Sequence, residues 1–446
     1  MIQRTFPRGG GEIPHRKRAT EALPIMVLPA PPIVVIPLHQ HIGAPCEPVV
    51  GVGDKVKMGQ LIGESKQFVS APIHSSVSGE VIAVEERPLL TGRRVLCVVI
   101  RNDGRDEMVK PQGGGDARTM SADAIRQAVK NAGIVGMGGA GFPTHVKINP
   151  PVRVDTIIIN GAECEPYLTC DHRLMVEQAA RMVDGLLAIM KATGAAKGII
   201  GIEANKPDAI GRLKEEIAGH EQLSIAVLKV RYPQGAEKQL IKAILGREVP
   251  SGRLPCDVGC VVNNVHTAIA VHEAVTQGKP SYERVVTVSG GAVVDPRNVL
   301  VRIGTPLQTL LDFCGGLLGE PAAIVGGGPM TGPPVLDLLG PVVKNLSGVL
   351  ALNQEEAAFD ENRPCIRCTR CVQVCPMGLT PNLLGEYSDQ GLYKKAGQLR
   401  VQDCIECGLC SFTCPSKRAL VTWIKRGKAG LAAERAAVTT AKEKVS

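Results

Sequence analysis

Eight cysteines near the C-terminal end carry the clearest chemical pattern in this sequence. They form two runs of the same spacing, Cys365-x2-Cys368-x2-Cys371-x3-Cys375-Pro376 and Cys404-x2-Cys407-x2-Cys410-x3-Cys414-Pro415. Thiolate sulfur is the usual protein ligand of iron–sulfur clusters, and this run is typical of chains that hold two 4Fe–4S clusters. The doubled run therefore predicts two 4Fe–4S clusters that pass single electrons.

The spacing also predicts which cysteines share a cluster. The first three cysteines of a run lie on one tight loop, whereas the fourth lies further along and ligates the other cluster. The expected ligand sets are Cys365, Cys368, Cys371 and Cys414 for the first cluster, and Cys404, Cys407, Cys410 and Cys375 for the second. Two structural zinc sites are the alternative, but such sites use two separated cysteine pairs rather than a repeated quartet ending in Cys-Pro.

The segment between the two runs, residues 377–402, must hold them in place. Its larger apolar side chains recur at near-helical spacing, namely Leu383, Leu384, Tyr387, Leu392, Tyr393 and Leu399. This periodicity predicts a helical insert packed beside the clusters.

Composition indicates a multidomain globular protein. A chain of 446 residues with 44% apolar and 21% charged residues is too long for one ordinary core, so three or four domains are expected. Fifty glycines and 32 prolines favour turns and short strands. With only 3% aromatic residues, stacking platforms for nucleic acid are not expected. The net charge of +8 is mild, although basic residues gather near both ends, where an anionic membrane surface or an acidic protein could contact them.

Neither a secretory signal nor a membrane span is predicted. Residues 1–18 are polar and basic, and the apolar stretch 22–38 is interrupted by five prolines, which prevent a continuous helix. Cysteines at metal-ligand spacing in a long chain without a signal indicate a reducing cytosol. Any membrane attachment is therefore expected to be peripheral or through partners.

The second chemical feature is a glycine-rich segment, Gly136-Met-Gly138-Gly139-Ala-Gly141-Phe142-Pro143-Thr144. It contains G-x-G-x-x-G, but a dinucleotide fingerprint needs a strand before it and a helix directly after it. Here residues 121–133 predict a helix with Ser121 as its N-cap, and a strand follows only at residues 154–160. The P-loop pattern is also absent. The glycines alone leave two alternatives open, a plain turn and a backbone cradle for a flat or phosphate-bearing ligand.

Two further segments follow the glycine-rich one, Asn160-Gly-Ala-Glu163-Cys-Glu165-Pro166 and Asn263-Asn264-Val-His-Thr267. With Lys147, these three ordered motifs resemble the NADH-oxidising flavoprotein subunit of respiratory complex I. The resemblance implies FMN stacked on the 136–147 loop, with Lys147 near its phosphate. The implied FMN-binding residues are Gly136, Gly138, Gly139, Gly141, Phe142, Lys147, Asn160, Asn263, Asn264 and Thr267.

The same resemblance implies a place for the nicotinamide nucleotide. Glu163 is expected to bind it, Glu165 belongs to the same segment, and Glu237 comes from the looser match Tyr232-Pro-Gln-Gly-Ala-Glu237. Ala162 departs from the family pattern, which has Asp there, so one polar flavin contact is expected to be lost or replaced. Phe142 either stacks on an aromatic ring or is a core residue. Hydride transfer needs no catalytic side chain, and none is assigned.

Two other regions resemble known modules. Residues 30–100 are similar to the barrel-sandwich hybrid of lipoyl carriers, without the carrier lysine motif, and residues 284–340 are similar to a small β-grasp domain. With the opening Phe6-Pro-Arg-Gly-Gly-Gly11, this order of modules resembles the RnfC family of the Rnf ion-translocating electron transport complexes.

The expected fold is a multidomain mixture of α/β and α+β architecture. It comprises a barrel-sandwich hybrid (1–112), a Rossmann-like α/β module for FMN and NADH (113–280), an SLBB-like β-grasp domain (281–345), an α-helical double-cluster ferredoxin-like domain (346–426) and a flexible tail (427–446).

The resemblance implies a peripheral NADH-oxidising subunit on the cytoplasmic side of the bacterial inner membrane. Its implied partners are integral membrane subunits, flavin and iron–sulfur subunits and, indirectly, ferredoxin or flavodoxin, with coupling to Na⁺ or H⁺ movement; nucleic acid is not a partner. Two alternatives are a cobalamin reductase of the microcompartment type, which shares these modules in another order, and an iron–sulfur adaptor without flavin.

Overall fold

The computed structural model describes residues 3–111, 113–357 and 362–443, with side chains described as far as residue 437. The described chain forms two compact units. The larger unit consists mainly of His15–Leu228 and Leu254–Ala357, and the smaller unit consists of Arg4–Pro14, Lys229–Arg253 and the described residues after 357. No helix in the described ranges has both the length and the apolar character that crossing a membrane requires.

The N-terminal part of the larger unit is a barrel-sandwich hybrid, as predicted. The strands of this region are β1 (Met26–Val27), β2 (Ile33–Pro37), β3 (Glu47–Pro48), β4 (Lys55–Val56), β5 (Leu61–Glu64), β6 (Ile73–His74), β7 (Gly79–Pro88) and β8 (Arg94–Asn102). One sheet has the order β2-β8-β7-β4 and the other β3-β5-β6, with every pair antiparallel. Alternate side chains such as Val34, Ile36 and Val81 are buried in one shared core, which fits the two-residue period of strands.

The next part of the larger unit is an α/β module. Its elements, and one helix that belongs to the smaller unit (α6), are α1 (Ala122–Asn131), α2 (Thr144–Lys147), β9 (Thr156–Gly161), α3 (Cys170–Glu177), α4 (Ala179–Thr193), β10 (Lys197–Glu203), α5 (Pro207–Glu216), β11 (Leu223–Leu228), α6 (Glu237–Leu245), β12 (Cys260–Asn264) and α7 (Val265–Gln277). The sheet is parallel throughout, in the order β11-β10-β9-β12. Ile157, Ile158 and Ile159 are all fully buried, as expected of a strand covered on both faces.

Helix α1 begins where the sequence predicts. The Ser121 hydroxyl accepts a hydrogen bond from Ala124 N at 3.2 Å, which satisfies one unpaired amide of the first turn. The glycine segment follows this helix, and the first strand of the module comes after it, so the prediction that this is no dinucleotide fingerprint is confirmed.

The last part of the larger unit is a β-grasp domain. Its elements are β13 (Glu283–Ser289), β14 (Arg297–Arg302), α8 (Leu307–Phe313), β15 (Ala323–Gly326) and β16 (Gly348–Leu352), and the sheet order is β1-β14-β13-β16-β15. β16 lies beyond the expected boundary at 345 and pairs with both β13 and β15. β1 also comes from outside the predicted range and pairs in parallel with β14.

The smaller unit is helical around the cysteine runs. Besides α6, its helices are α9 (Arg370–Gln373), α10 (Pro381–Asp389), α11 (Tyr393–Gln398), α12 (Leu409–Phe412) and α13 (Leu420–Glu443). α10 and α11 confirm the predicted helical insert. α13 continues past residue 427, where a flexible tail was expected, and Leu431 is buried in the core of the unit.

Two distant segments complete the smaller unit, which the predicted boundaries 1–112 and 113–280 do not anticipate. Gly11 and Tyr232 exchange backbone hydrogen bonds of 2.9 Å in both directions, and the Tyr232 hydroxyl donates to Cys407 O at 2.9 Å. Gly9 has a positive φ of 61° and lies so close to Cys375 that a Cβ atom would stand 2.5 Å from its carbonyl. These contacts draw both segments to the cysteine runs.

Candidate functional site

The glycine segment forms a closed loop between α1 and α2. Gly136 N donates to Phe142 O at 2.9 Å, and Thr144 N donates to Ile134 O at 2.9 Å, so the two ends of the loop are tied together. Gly138 and Gly139 are exposed at its tip, while Phe142 is partly buried. Lys147 ends α2, directly after the loop. The loop therefore presents bare backbone on one side.

Three polar side chains fasten this loop to the rest of the larger unit. Thr267 Oγ1 accepts a hydrogen bond from Met137 N at 3.0 Å, and Asn345 Nδ2 donates to Gly139 O at 3.1 Å. The guanidinium of Arg284, which is 1% exposed, lies 3.5 Å from Met137 O and donates to Lys344 O at 2.6 Å. The loop is thus held in a fixed conformation.

The predicted asparagines lie at the carboxyl ends of neighbouring strands. Asn160 on β9 is in register with Asn264 on β12, which brings two of the sequence motifs together. Asn264 is also the N-cap of α7, where its Oδ1 accepts from His266 N at 2.9 Å. Gly138 lies against this side chain, because a Cβ atom on Gly138 would stand 2.7 Å from Asn264 Nδ2.

A buried donor next to Asn264 has no partner. Asn263 is 4% exposed, and its Nδ2 makes no hydrogen bond within the described residues. Such a group carries a desolvation cost of about 1–3 kcal/mol unless a ligand accepts from it. Gly139 leaves room for such a ligand, because nothing lies within 4 Å of the position that its Cβ would take. These residues fit a bound flat, polar cofactor such as FMN.

The two acidic residues of the second motif are already engaged by the protein. Glu163 has a positive φ of 43°, and its oxygens accept from Asp171 N at 2.7 Å and His172 N at 3.2 Å, which caps the start of α3. Glu165 accepts from Met330 N at 3.0 Å and from Thr331 Oγ1 at 2.6 Å. The structure therefore gives both carboxylates structural contacts. Glu237 begins α6 in the other unit.

Lys17 secures the backbone of the same motif. Its buried ammonium donates to Glu163 O and Glu165 O at 2.9 Å each, and it lies 4.0 Å from Glu163 Oε2. The sequence suggested that the basic residues near the N-terminal end contact an external surface. One of them, Lys17, is instead buried and binds the backbone of this motif. Of that group, Arg18 remains exposed.

Sequence reasoning missed Asp171 and Arg284. Asp171 Oδ2 accepts from Asn264 Nδ2 at 2.6 Å, and burial, followed by the charge of Glu163, raises the pKa of Asp171 from 3.8 to about 7. Nothing in the spacing of Asp171 marks it. Arg284 does carry a signal, since a charged residue in the apolar strand Glu283–Ser289 is unusual unless it has an internal partner.

The cysteines of the smaller unit line two separate cavities. One cavity is lined by Cys365, Cys368, Cys371 and Cys414, and the other by Cys375, Cys404, Cys407 and Cys410. Each quartet thus takes three cysteines from one run and one from the other. Backbone amides point at sulfur in both runs, with Arg367 N and Glu406 N each 3.4 Å from the first sulfur of its run.

The donor chemistry of these cavities fits iron–sulfur clusters. Burial is the first cause that raises the pKa of Cys404, of Cys407 (to about 12) and of Cys410, so three neighbouring thiolates would be costly there by themselves. Iron supplies the positive charge that offsets this cost, because metal ligation stabilises the thiolate form. N–H···S hydrogen bonds then help to set the reduction potential.

Four stretches of the chain match known domain families. Residues 5–105 match the RnfC barrel sandwich hybrid domain, 129–273 the Nuo51 FMN-binding domain, 285–334 the SLBB domain and 364–420 the 4Fe-4S dicluster domain. Fold and site thus define a flavin and iron–sulfur electron-transfer protein.

Curated relatives match along nearly the whole chain. The C subunit of the Na⁺-translocating ferredoxin:NAD⁺ oxidoreductase complex of Acetobacterium woodii is 49% identical over 96% of this chain and 97% of its own length. The C subunit of the proton-translocating ferredoxin:NAD⁺ oxidoreductase complex of Clostridium ljungdahlii is 45% identical over 94% and 92%. An NAD⁺-reducing NiFe-hydrogenase in its air-oxidised state shares 25% identity, with a TM-score of 0.48 over 62% of this chain and 55% of that chain.

The chain belongs to the RnfC family, whose members are subunits of the ion-translocating ferredoxin:NAD⁺ oxidoreductase (Rnf) complexes. It is therefore one of several subunits of such an assembly, with an FMN-binding domain and a 4Fe–4S dicluster domain. The resemblance inferred from the motifs is confirmed, and family membership supersedes the zinc and cobalamin reductase alternatives.

Proposed function

We propose that this chain oxidises NADH on the cytoplasmic side of a bacterial Rnf-type complex and passes the electrons through FMN and two 4Fe–4S clusters. The observation that carries the proposal is a glycine loop fastened beside a buried, unpartnered amide, in the same chain as two cavities each lined by four cysteines. The flow would be reversible, with ferredoxin at the far end of the complex.

FMN, when bound, supplies the change from two-electron hydride chemistry with NADH to the one-electron chemistry of clusters. The chain's own residues bind and orient it. Gly136, Gly138, Gly139 and Gly141 would let it approach the backbone, and Phe142 and Lys147 would help to hold it. Asn263 Nδ2 would donate to it, while Thr267 keeps the loop in place through Met137.

The remaining polar residues complete this proposed site. Asn160 and Asn264 border the cofactor at the carboxyl ends of β9 and β12, as expected of binding sites in open parallel sheets. We assign the nicotinamide nucleotide to the side where Glu163 and Glu165 keep the motif rigid. A role of Glu237 in nucleotide binding stays a prediction from the motif resemblance. A bound flavin would accept the hydride directly, so no side chain is assigned as a general base.

The two clusters have crossed ligand sets in this proposal. Cys365, Cys368, Cys371 and Cys414 hold one, and Cys404, Cys407, Cys410 and Cys375 hold the other. Support comes from the two cavities, each of which takes cysteines from both runs. Crossing also ties the runs together, so neither cluster forms fully without the other run.

The partners in this proposal are the integral membrane, flavin and iron–sulfur subunits of the complex. Ion translocation takes place in those partners, and the chain itself is attached peripherally. The coupling ion is Na⁺ or H⁺, since the relatives from Acetobacterium woodii and Clostridium ljungdahlii are named for sodium and proton translocation respectively.

Anaerobic purification of the full chain tests the proposal. We expect flavin absorbance, iron for two clusters, and loss of cluster absorbance when NADH is added. A protein with clusters but neither flavin nor a response to NADH would be an iron–sulfur adaptor and would contradict the proposal. Copurification with membrane subunits would support the assignment to the complex.

A further inference from the structure

The two cysteine runs differ sharply in exposure. Residues 362–370, which include Cys365 and Cys368, are all exposed, and Ile366 between them is 67% exposed. In the other run Cys404 and Cys407 are partly buried, while Gly408, Leu409 and Cys410 are buried. The cluster proposed for the Cys365 run therefore lies nearest the surface of its unit.

Several basic side chains lie along the exposed run and the segment that contains Cys414. Segments 362–371 and 411–420 contain five cations, namely Arg363, Arg367, Arg370, Lys417 and Arg418, and no Asp or Glu. Among the described residues no carboxylate forms an ion pair with Arg363, Arg367 or Arg370, and all three side chains are exposed. Arg418 lies over the Trp423 ring, 4.8 Å from its centroid.

Part of the positive charge beside the other run is paired within the protein. Lys428 and Lys425 both pair with Glu406, and Arg426 pairs with Asp389. Arg363, Arg367 and Arg370 of the exposed run have no such ion pair within the described residues, so their charge is open to a partner.

Two apolar side chains add to this surface. Ile366 and Phe412, which are 67% and 52% exposed, lie in the cation-bearing segments. Apolar and arginine side chains are the groups that protein interfaces favour, and opposite charge around them speeds encounter. We name the surface formed by Arg363, Ile366, Arg367 and Arg370 the basic cluster face.

Resting on the proposed cluster function, we infer that the basic cluster face is the docking site for an acidic redox protein. In the transfer, one electron leaves the reduced cluster of the Cys365 run and reduces a one-electron centre of iron–sulfur or flavin type in the partner, and no proton moves. An anionic membrane fits the charge but not the chemistry, since lipid cannot accept the electron from a cluster exposed at that point.

The order of the two clusters follows from this inference. The buried cluster of the Cys404 run is the internal relay, and the exposed cluster of the Cys365 run is the terminal one. Because electron transfer slows steeply with distance, a partner that docks elsewhere would have to exchange with the better-shielded centre.

The test measures electron transfer from dithionite-reduced full-length protein, freed of excess dithionite, to two probes in a stopped-flow instrument. One probe is a rubredoxin, a small acidic iron protein, and the other is cytochrome c, a basic protein of similar size. We expect the rate with rubredoxin to fall about tenfold as salt rises from about 20 mM to about 500 mM, and the rate with cytochrome c to change in the opposite sense.

Charge reversal localises the effect. Arg363→Glu/Arg370→Glu should lower the rubredoxin rate at low salt by about tenfold or more. The matched control is Arg105→Glu/Arg153→Glu, which makes the same change in net charge at exposed positions of the larger unit and should leave the rate within about twofold of wild type. Equal rates in the two double variants would overturn the inference.

Two further measurements distinguish failure of the proposed function from failure of this inference. Dithionite-reduced EPR spectra report cluster assembly first, so absent clusters in the wild-type protein would count against the proposed function itself. Should the double variant assemble poorly, the single variant Arg363→Glu and the wild-type salt dependence provide the same test. Binding to phosphatidylglycerol vesicles that the double variant loses, without any change in the rubredoxin rate, would assign the face to lipid and overturn the inference.

Discussion

Asn264 donates its side-chain amide to Asp171 Oδ2 at 2.6 Å, and this contact connects the cap of α7 with the start of α3. The other end of the same amide accepts from His266 N, so both ends of the Asn264 side chain are fixed. Asp171 thereby orients a residue that we place against the flavin. It acts through Asn264 and is a positioning residue.

Removing the Asp171 carboxyl should weaken FMN binding. Asp171→Ala leaves Asn264 without its acceptor, and a lost hydrogen bond of about 1.4 kcal/mol corresponds to an approximately tenfold higher dissociation constant. Asp171→Asn retains an acceptor oxygen and should restore most of the affinity. Quenching of FMN fluorescence on FMN-depleted protein measures both. Equal affinity in Asp171→Ala and wild type would exclude the positioning role.

Two neighbouring glycines should behave differently when replaced by alanine. In Gly138→Ala the new Cβ stands 2.7 Å from Asn264 Nδ2 and 2.9 Å from Asn264 Cβ, so the loop must shift, and we expect a lower melting temperature together with weaker FMN binding. In Gly139→Ala nothing within 4 Å meets the methyl group, so the melting temperature of FMN-depleted protein should not change.

FMN titration of Gly139→Ala then probes the open side of the loop. Because the added methyl group would project into the space that we assign to the cofactor, affinity should fall although stability does not. Unchanged affinity would place the cofactor elsewhere. A lower melting temperature in Gly139→Ala would instead show that the space is filled by protein.

The crossed cluster ligands can be separated by single substitutions. Cys375→Ala should damage the cluster of the Cys404 run, and Cys414→Ala the cluster of the Cys365 run, since each cavity takes its fourth cysteine from the other run. EPR of reduced protein and iron analysis measure the losses. The buried Cys314 in the β-grasp core provides a control, as Cys314→Ala should keep both signals. The opposite pattern of loss would mean that each run binds its own cluster.

Lys344 should make the stability of the larger unit depend on pH. Its buried ammonium donates to Pro72 O at 2.8 Å and Gly133 O at 2.7 Å, and burial lowers its pKa from 10.5 to about 7. Between these values the unfolded chain holds a proton that the folded protein has released, so the free energy of unfolding rises with pH. The gain is at most several kcal/mol, at about 1.4 kcal/mol per pKa unit.

Melting temperatures from pH 7 to pH 10 detect this contribution. Lys344→Met should have a flatter pH profile than wild type, whereas the exposed control Lys110→Met should follow the wild-type profile. A Lys344→Met profile parallel to wild type would show that this lysine keeps its proton in the folded protein throughout the range.

Local patterns predicted much of this structure. Cysteine spacing, the Ser121 cap and the apolar period of residues 377–402 are short-range signals, and they anticipated the 4Fe–4S dicluster domain, α1 and the helical insert. The rejection of a dinucleotide fingerprint for the glycine segment also depended on neighbouring residues. Consecutive residues show that a helix precedes the glycines and that a strand comes only later.

Contacts between distant residues could not be predicted in this way. Lys344 is 272 residues from Pro72, and Asp171 is 93 residues from Asn264, so neither pair leaves a period or a spacing in the sequence. The same is true of the segments that pair across the expected domain boundaries. β16 pairs with β13, some sixty positions earlier, and residues 229–253 belong to the smaller unit, where Tyr232 bonds to Gly11 and Cys407.

The most direct test of the central claim compares two reductants on FMN-depleted and FMN-restored protein under anaerobic conditions. In depleted protein, dithionite should reduce both clusters, and NADH should reduce neither. After FMN is added back, NADH alone should produce the reduced cluster signals in EPR. Rapid reduction of the clusters by NADH in protein that lacks FMN would contradict the account, because electrons would then reach the clusters by a route that does not pass through the proposed flavin site.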